Sequence, residues 1–197
     1  MRRPSWEAAA ERGRVRRRIR APGLERHRQR RYTCVVHFTP VFESKICAPA
    51  QLAARSAQLP RPLVFTNGVL DLLHRGHVSY LAQARALGAS LLVAANSDIS
   101  VKRLGKGPDR PLNTLADRMA LLCALESVSL VTWFDADTPL ALIRLVKPDV
   151  LVKGGDWAPE EIVGGAEVKN RGGAVHSIPF IHPLSTSAML AKIRGDK

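Results

Sequence analysis

Leu63-Val64-Phe65-Thr66-Asn67-Gly68-Val69-Leu70-Asp71-Leu72-Leu73-His74-Arg75-Gly76-His77 is the stretch on which the fold turns. Its first four residues form a short apolar run, of the length and composition of a strand buried on both faces of a parallel sheet. Its end leads into Val78, Leu81 and Ala82 at helical spacing, so strand, loop and helix follow one another as in a βαβ unit. Gly68 and Gly76 permit close backbone approach to a ligand, and His74 and His77 are three apart, on one face of a first helical turn. With a helix N-terminus behind them, these groups suit a polyphosphate. Each imidazole can donate a hydrogen bond to a phosphate oxygen and stabilise charge that grows as a phosphoryl bond breaks. The competing reading is that one or both histidines only satisfy local backbone groups. A zinc site is not supported, because no third His or Cys stands at a recognisable spacing.

Outward from this stretch the alternation continues. Apolar runs at 90–95, 130–134, 150–153 and 174–179 predict four further strands, giving five with 63–66. Helices are predicted over about 77–87 (closed by Gly88), from Thr114 with Asp117 three residues on, from Asp137 to before Pro148, over about 159–171, and from Ser185 or Thr186 to Arg194. The pattern is α/β: a Rossmann-like, doubly wound five-stranded parallel sheet flanked by helices. Ligands of such sheets gather outside the carboxyl ends of the strands, where chain order reverses. The loops after the strands therefore hold the remaining candidates.

After the second strand, Ser100 to Pro111 is a glycine-containing basic loop with Lys102, Arg103, Lys106 and Arg110. Such a loop can close over phosphates and exclude water, or can be an ordinary solvated surface. After the fourth strand, Lys153-Gly154-Gly155-Asp156-Trp157 is a turn able to clasp a nucleoside, with a structural turn and a packed Trp as the alternative. The last loop, Phe180 to Ser187, ends in hydroxyls that can bind phosphate or merely cap the final helix.

The segment FTNGVLDLLHRGH, Phe65 to His77, resembles the HxGH nucleotidyltransferases, in particular their cytidylyltransferase-like branch, and the likeness extends over nearly all of 42–197. Its details are similar to those members that form ADP-heptose and pyrophosphate from ATP and D-glycero-β-D-manno-heptose 1-phosphate for lipopolysaccharide core biosynthesis. The resemblance implies a nucleotidyltransferase fold with His74, His77, a phosphate-contacting loop lysine and Arg118 in the catalytic set, and the glycines around Lys106 put it ahead of Lys102 as that lysine. It places Thr66, Asn67, Gly68, Leu70, Asp71 and Gly76 around the nucleotide phosphates. Gly155, Asp156 and Trp157 fall beside the nucleoside, and Ser185, Thr186 and Ser187 at the far phosphates. Arg118 is expected to hold phosphates or orient the loop, and Asp71 to orient the loop rather than bind metal. Mg2+ is implied as the cofactor, bound mainly through the nucleotide phosphates, and a homodimer as the assembly. Leu70 stands where the family usually has Phe and remains an apolar filler. Glycerol-phosphate cytidylyltransferases have Arg and Gly where this chain has Phe180 and Pro183, which weakens a cytidylyl reading; the preference for adenine rests on the resemblance alone.

The 197 residues carry 30 basic and 17 acidic side chains, a net +13. The charge is concentrated in residues 1–41, whose twelve Arg and three Glu give +9 and leave +4 for 42–197. With no sustained apolar period, 1–41 is expected to be a disordered extension before the domain at 42–197. It is read as a nucleic-acid or anionic-surface arm, a targeting peptide, or translation from a start placed too far upstream. Arg without Lys favours the last. A nucleic-acid binder acting through this arm is the noncatalytic alternative, made less attractive by an aromatic content of 5%. No apolar run approaches the roughly 20 residues of a membrane span. Cys34, Cys47 and Cys123 are odd in number and widely spaced, which argues against a disulfide framework and for a reducing cytoplasm.

Overall fold

The computed structural model describes residues 40–105, 107, 109–155, 157–182 and 185–195. The expected extension at 1–41 lies almost wholly outside the described residues, as do Lys106, Asp156 and Pro183. Five strands form: β1 (Leu63–Gly68), β2 (Ser90–Asn96), β3 (Leu130–Phe134), β4 (Val150–Gly154) and β5 (Ala174–Ile178). All adjacent pairs are parallel, in the order β3-β2-β1-β4-β5. The sequence-predicted fold class is therefore the observed one. Chain order reverses between β1 and β4, so the carboxyl ends of these central strands, Asn67-Gly68 and Lys153-Gly154, flank the crevice where ligands are expected.

Seven helices of the described residues cover the sheet: α1 (Leu52–Ala57), α2 (Arg75–Arg85), α3 (Asp98–Arg103), α4 (Leu115–Cys123), α5 (Leu140–Val146), α6 (Gly165–Asn170) and α7 (Thr186–Arg194). The period-2 geometry of the strands divides the core in two. Val64, Val93, Val131 and Val152 face α2 and α4 with Leu81, Ala84 and Leu122. Leu63, Phe65, Leu92, Leu130 and Leu151 face the other layer with Leu52, Ile143 and Val168. Leu63, Val64 and Phe65 are all fully buried, so each contributes about 1.5–3 kcal/mol of burial, enough to fix β1 at the centre.

Three departures from the sequence reading have local causes. The start of the basic loop, up to Arg103, belongs to helix α3, because the Ser97 hydroxyl accepts from Ser100 N at 3.1 Å and caps it. The helix expected over 159–171 is divided into a 3-10 turn at Pro159–Glu161 and α6, since Ile162 is extended and Gly164 has φ 83. Helix α2 begins two residues earlier than expected, with His74 as its N-cap. Thr114 and Ser185 cap α4 and α7 as expected.

Candidate functional site

Two adjoining cavities open above the ends of β1 and β4. One, about 330 Å³, is lined by Leu70, Asp71, His77, Tyr80, Arg110, Phe180 and Ser185 to Ser187. The other, about 340 Å³, lies toward Asn96, Leu104, Asp137 to Pro139 and Ile162. Asn67, Gly68, Val69, Lys153 and Trp157 border both.

The histidines owe their arrangement to the start of α2. His74 Nδ1 accepts the backbone N–H of His77 at 3.4 Å, which puts the proton of a neutral His74 ring on Nε2. The two rings stack with centroids 3.9 Å apart, 20° from parallel. Burial, and then the neighbouring His74, push the His77 pKa down to about 4, against a weak opposing effect of the Leu72 carbonyl; burial also lowers that of His74. Both are therefore neutral near pH 7, each with one N–H to donate. His77 Nδ1 is buried without a hydrogen-bond partner among the described residues, and the residue borders the first cavity. Gly76 makes this packing feasible, since a Cβ there would stand 3.0 Å from the His74 ring and 3.3 Å from the His182 carbonyl oxygen.

Beneath the histidines, Tyr80 fills the floor. Its hydroxyl is 2.5 Å from Thr66 Oγ1, and burial pushes its pKa up to about 12. The Phe180 ring meets both His77 and Tyr80 edge-on, at 6.1 and 5.6 Å.

Buried charge fixes the loops over β1 and β2. Arg118 is 0% exposed; Nη1 donates to Val69 O at 2.6 Å, Nη2 to Asn96 O at 2.7 Å and Asp98 Oδ1 at 2.8 Å, and Nε to Asn113 O at 3.2 Å. One guanidinium thus ties the ends of β1 and β2 to the starts of α3 and α4. Asp71, 1% exposed, accepts the backbone N–H groups of Leu112 and Asn113 at 3.0 and 2.9 Å, and its Oδ2 lies 2.7 Å from Arg110 Nε. The last contact is a close ion pair rather than an aligned hydrogen bond.

Over β4 and β5 the means are different. Gly155 adopts φ 107, its N–H donates to Ile178 O at 2.9 Å, and the Ser177 hydroxyl accepts from Trp157 N at 3.0 Å while donating to Gly155 O. Trp157 is left 47% exposed, with Lys153 Nζ 5.9 Å from its ring centroid. The Ser185 hydroxyl accepts from Ala188 N at 3.0 Å, so it caps α7 and also borders the cavity with Thr186 and Ser187.

Several expectations change. Thr66 is not at the phosphates: its hydroxyl is buried against Tyr80 and supports the site from below. Of the two roles expected for Arg118, the geometry matches the anchoring of loops, its guanidinium being buried on carbonyls and Asp98. Lys102 is exposed on α3 and borders neither cavity, and Arg103 is taken up by Asp137 and the Asp135 carbonyl. Lys106 and Asp156 lie outside the described residues. His77, Asn67, Gly68, Leu70, Asp71, Trp157 and Ser185 to Ser187 are brought together at the cavity. Sequence reasoning missed Arg110, Lys153, Tyr80 and Phe180 as site residues. Lys153 had a signal in its position at the end of β4, whereas Tyr80 could be read only as one turn beyond His77 on the same helix.

Residues 65–188 match the family model described as cytidylyltransferase-like. The chain belongs to the cytidylyltransferase-like family. Among relatives of this family member, a D-beta-D-heptose 1-phosphate adenylyltransferase of Bordetella bronchiseptica is 57% identical over 155 residues, which are 78% of this chain and 96% of that protein. A bifunctional protein HldE of Hahella chejuensis is 53% identical over 135 residues, but the match spans only 28% of that longer protein. Of solved structures, the lipopolysaccharide core biosynthesis protein from Thermoplasma volcanium is 27% identical with a TM-score of 0.50, over 60% of this chain and 94% of that one. Pantothenate synthetase from Thermus thermophilus, 18% identical with a TM-score of 0.53 over 77% of this chain and 69% of that one, shares the fold.

Proposed function

We propose that this cytidylyltransferase-like enzyme transfers the adenylyl group of ATP to D-glycero-β-D-manno-heptose 1-phosphate, forming ADP-heptose and pyrophosphate for lipopolysaccharide core assembly. The observation that carries this reading is the 57% identity to the Bordetella heptose 1-phosphate adenylyltransferase over almost that whole protein. The bifunctional relatives support the same reading only for the part of their length that this chain matches.

In the reaction a phosphate oxygen of the sugar phosphate attacks the α-phosphorus in line. The bond from that phosphorus to the bridging oxygen breaks, and pyrophosphate leaves with the electron pair; no covalent enzyme intermediate is needed. The neutral imidazoles of His74 and His77 donate N–H hydrogen bonds to the phosphate oxygens as charge moves onto the leaving group, a service worth about 10²–10³ in rate for one well-placed donor. Ser185 to Ser187 and the start of α7 receive the far phosphates. Trp157 lies where a base can stack; Lys106, outside the described residues, keeps the phosphate role that the family likeness gives it.

Mg2+ fits this arrangement as a companion of the nucleotide. Held mainly through the nucleotide phosphates, the ion would leave Asp71 to the loop, where both of its oxygens are committed. When bound, the ion neutralises phosphate charge. The same reading places the reaction in the cytoplasm, and among the described residues no helix is long and apolar enough to cross a membrane. It also includes a homodimer, which sedimentation of the purified chain would check.

The test is product analysis with magnesium and ATP or CTP, each with the heptose 1-phosphate or glycerol 3-phosphate. ADP-heptose formed with ATP and the heptose phosphate is the expected result. CDP-glycerol formation would overturn the substrate assignment, and no product with any pair would overturn the reading as a whole.

A further inference from the structure

We propose that Arg110 is a phosphate-binding residue for the pyrophosphate portion of the nucleotide, held ready by Asp71. The inference rests on the nucleotidyl-transfer reading and adds a residue to its site. Arg110 is 8% exposed, yet it borders the cavity that also receives His77 and the hydroxyls at the start of α7. A guanidinium is rarely buried without full compensation. Here the compensation is one-sided: Asp71 Oδ2 stands 2.7 Å from Nε, while no described residue accepts from the terminal nitrogens. The carboxylate stands beside Nε as an ion pair without an aligned hydrogen bond, and the terminal nitrogens remain for a second anion.

Asp71 also fixes where those donors stand. It accepts from Leu112 N and Asn113 N, and Asn113 Nδ2 returns a hydrogen bond to Asp71 O at 2.8 Å. The basic segment is therefore anchored to the histidine loop immediately beyond Arg110. By contrast, Gly105 and Gly107 have φ of 63 and 110, and nothing lies within 4 Å of a Cβ built on either. Of the four basic residues read in this segment, Arg110 alone is placed against the cavity among those described, Lys102 being exposed and Arg103 paired with Asp137. The His77 imidazole, a helix start and the Arg110 guanidinium border one space, an arrangement suited to a polyanion rather than to a single sugar hydroxyl or base.

The test is equilibrium binding of Mg2+-pyrophosphate and of adenosine to the full chain, in wild type, Arg110→Gln and Arg110→Lys. Arg110→Gln is expected to weaken pyrophosphate binding roughly tenfold to a hundredfold while adenosine binding is unchanged. Arg110→Lys should fall between, since an ammonium cannot keep the Asp71 contact and a two-pronged grip on phosphate together. Should Arg110→Gln not fold, Arg110→Lys decides: a several-fold loss for pyrophosphate alone supports the proposal, and undiminished affinity overturns it. A parallel loss of adenosine binding overturns it by showing a structural role. Unchanged pyrophosphate affinity with a raised KM for the sugar phosphate also overturns it, assigning the guanidinium to the acceptor. Because pyrophosphate binding requires neither a particular base nor a particular sugar, failure of the heptose reading would appear in the product assay and leave this result interpretable.

Discussion

The two sides of the crevice are built by different physics. Over β1 and β2, loop positions are set by buried charge: Arg118 on three carbonyl oxygens and Asp98, and Asp71 between two backbone N–H groups and Arg110. Over β4 and β5 they are set by a left-handed glycine, the Ser177 hydroxyl and a half-exposed Trp157. Donors that must meet developing charge gain from being fixed before substrate arrives, because no reorganisation is then required at the moment of reaction. A surface that only stacks on a base gains mainly from contact area. Under the proposed function, the chemistry falls to the charge-locked side and the grip on the nucleoside to the other.

The strongest way to break this comparison is Arg118→Met. It leaves the Val69 and Asn96 carbonyls without their donor and Asp98 without its cation, so a stability loss of about 3–5 kcal/mol is expected in denaturant unfolding. A loss below about 1 kcal/mol would show that the network does not lock the loops. Gly76→Ala should cost about 1–3 kcal/mol and lower kcat by displacing the His74 ring, both read in one purified variant. Trp157→Ala sharpens the other side: half exposed, it should alter stability by less than about 0.5 kcal/mol. Its expected effect is instead a several-fold rise in the KM for ATP, consistent with about 0.5–1.5 kcal/mol of stacking.

A pH series separates the sides without mutation. His77 titrates at about 4 in the folded chain, below its ordinary 6.5. Between these values the unfolded chain binds more protons at this residue, so its contribution to stability is complete above pH 6.5 and is lost as pH falls toward 4. In His77→Asn that slope should shrink. The neutral His77 imidazole also predicts a kcat that stays level as pH drops through 6.5, whereas an acid limb at 6.5 would show that His77 is not held neutral.

What the sequence disclosed follows the range of the forces involved. β1 and the histidine loop were legible because apolar runs, glycines and the i, i+3 spacing of His74 and His77 are local signals. The capping hydroxyls of Thr114 and Ser185 were legible for the same reason, while the Ser97 cap was passed over in a segment read as loop from its charge. Thr66 was placed at the phosphates, and Arg118 was left between phosphates and loop, because their settings depend on partners far along the chain: Tyr80 for the hydroxyl, and Val69, Asn96 and Asp98 for the guanidinium. Arg110 was one cation among four until the buried Asp71 carboxylate, 39 positions earlier, distinguished it.

The central claim is that neutral donors on the charge-locked side perform the transfer. It is tested most directly by pyrophosphate release from ATP and the heptose 1-phosphate in wild type and His77→Asn, with thermal unfolding of both. The account predicts a folded variant whose kcat is lower by about 10²–10³. A folded His77→Asn with wild-type turnover would contradict it.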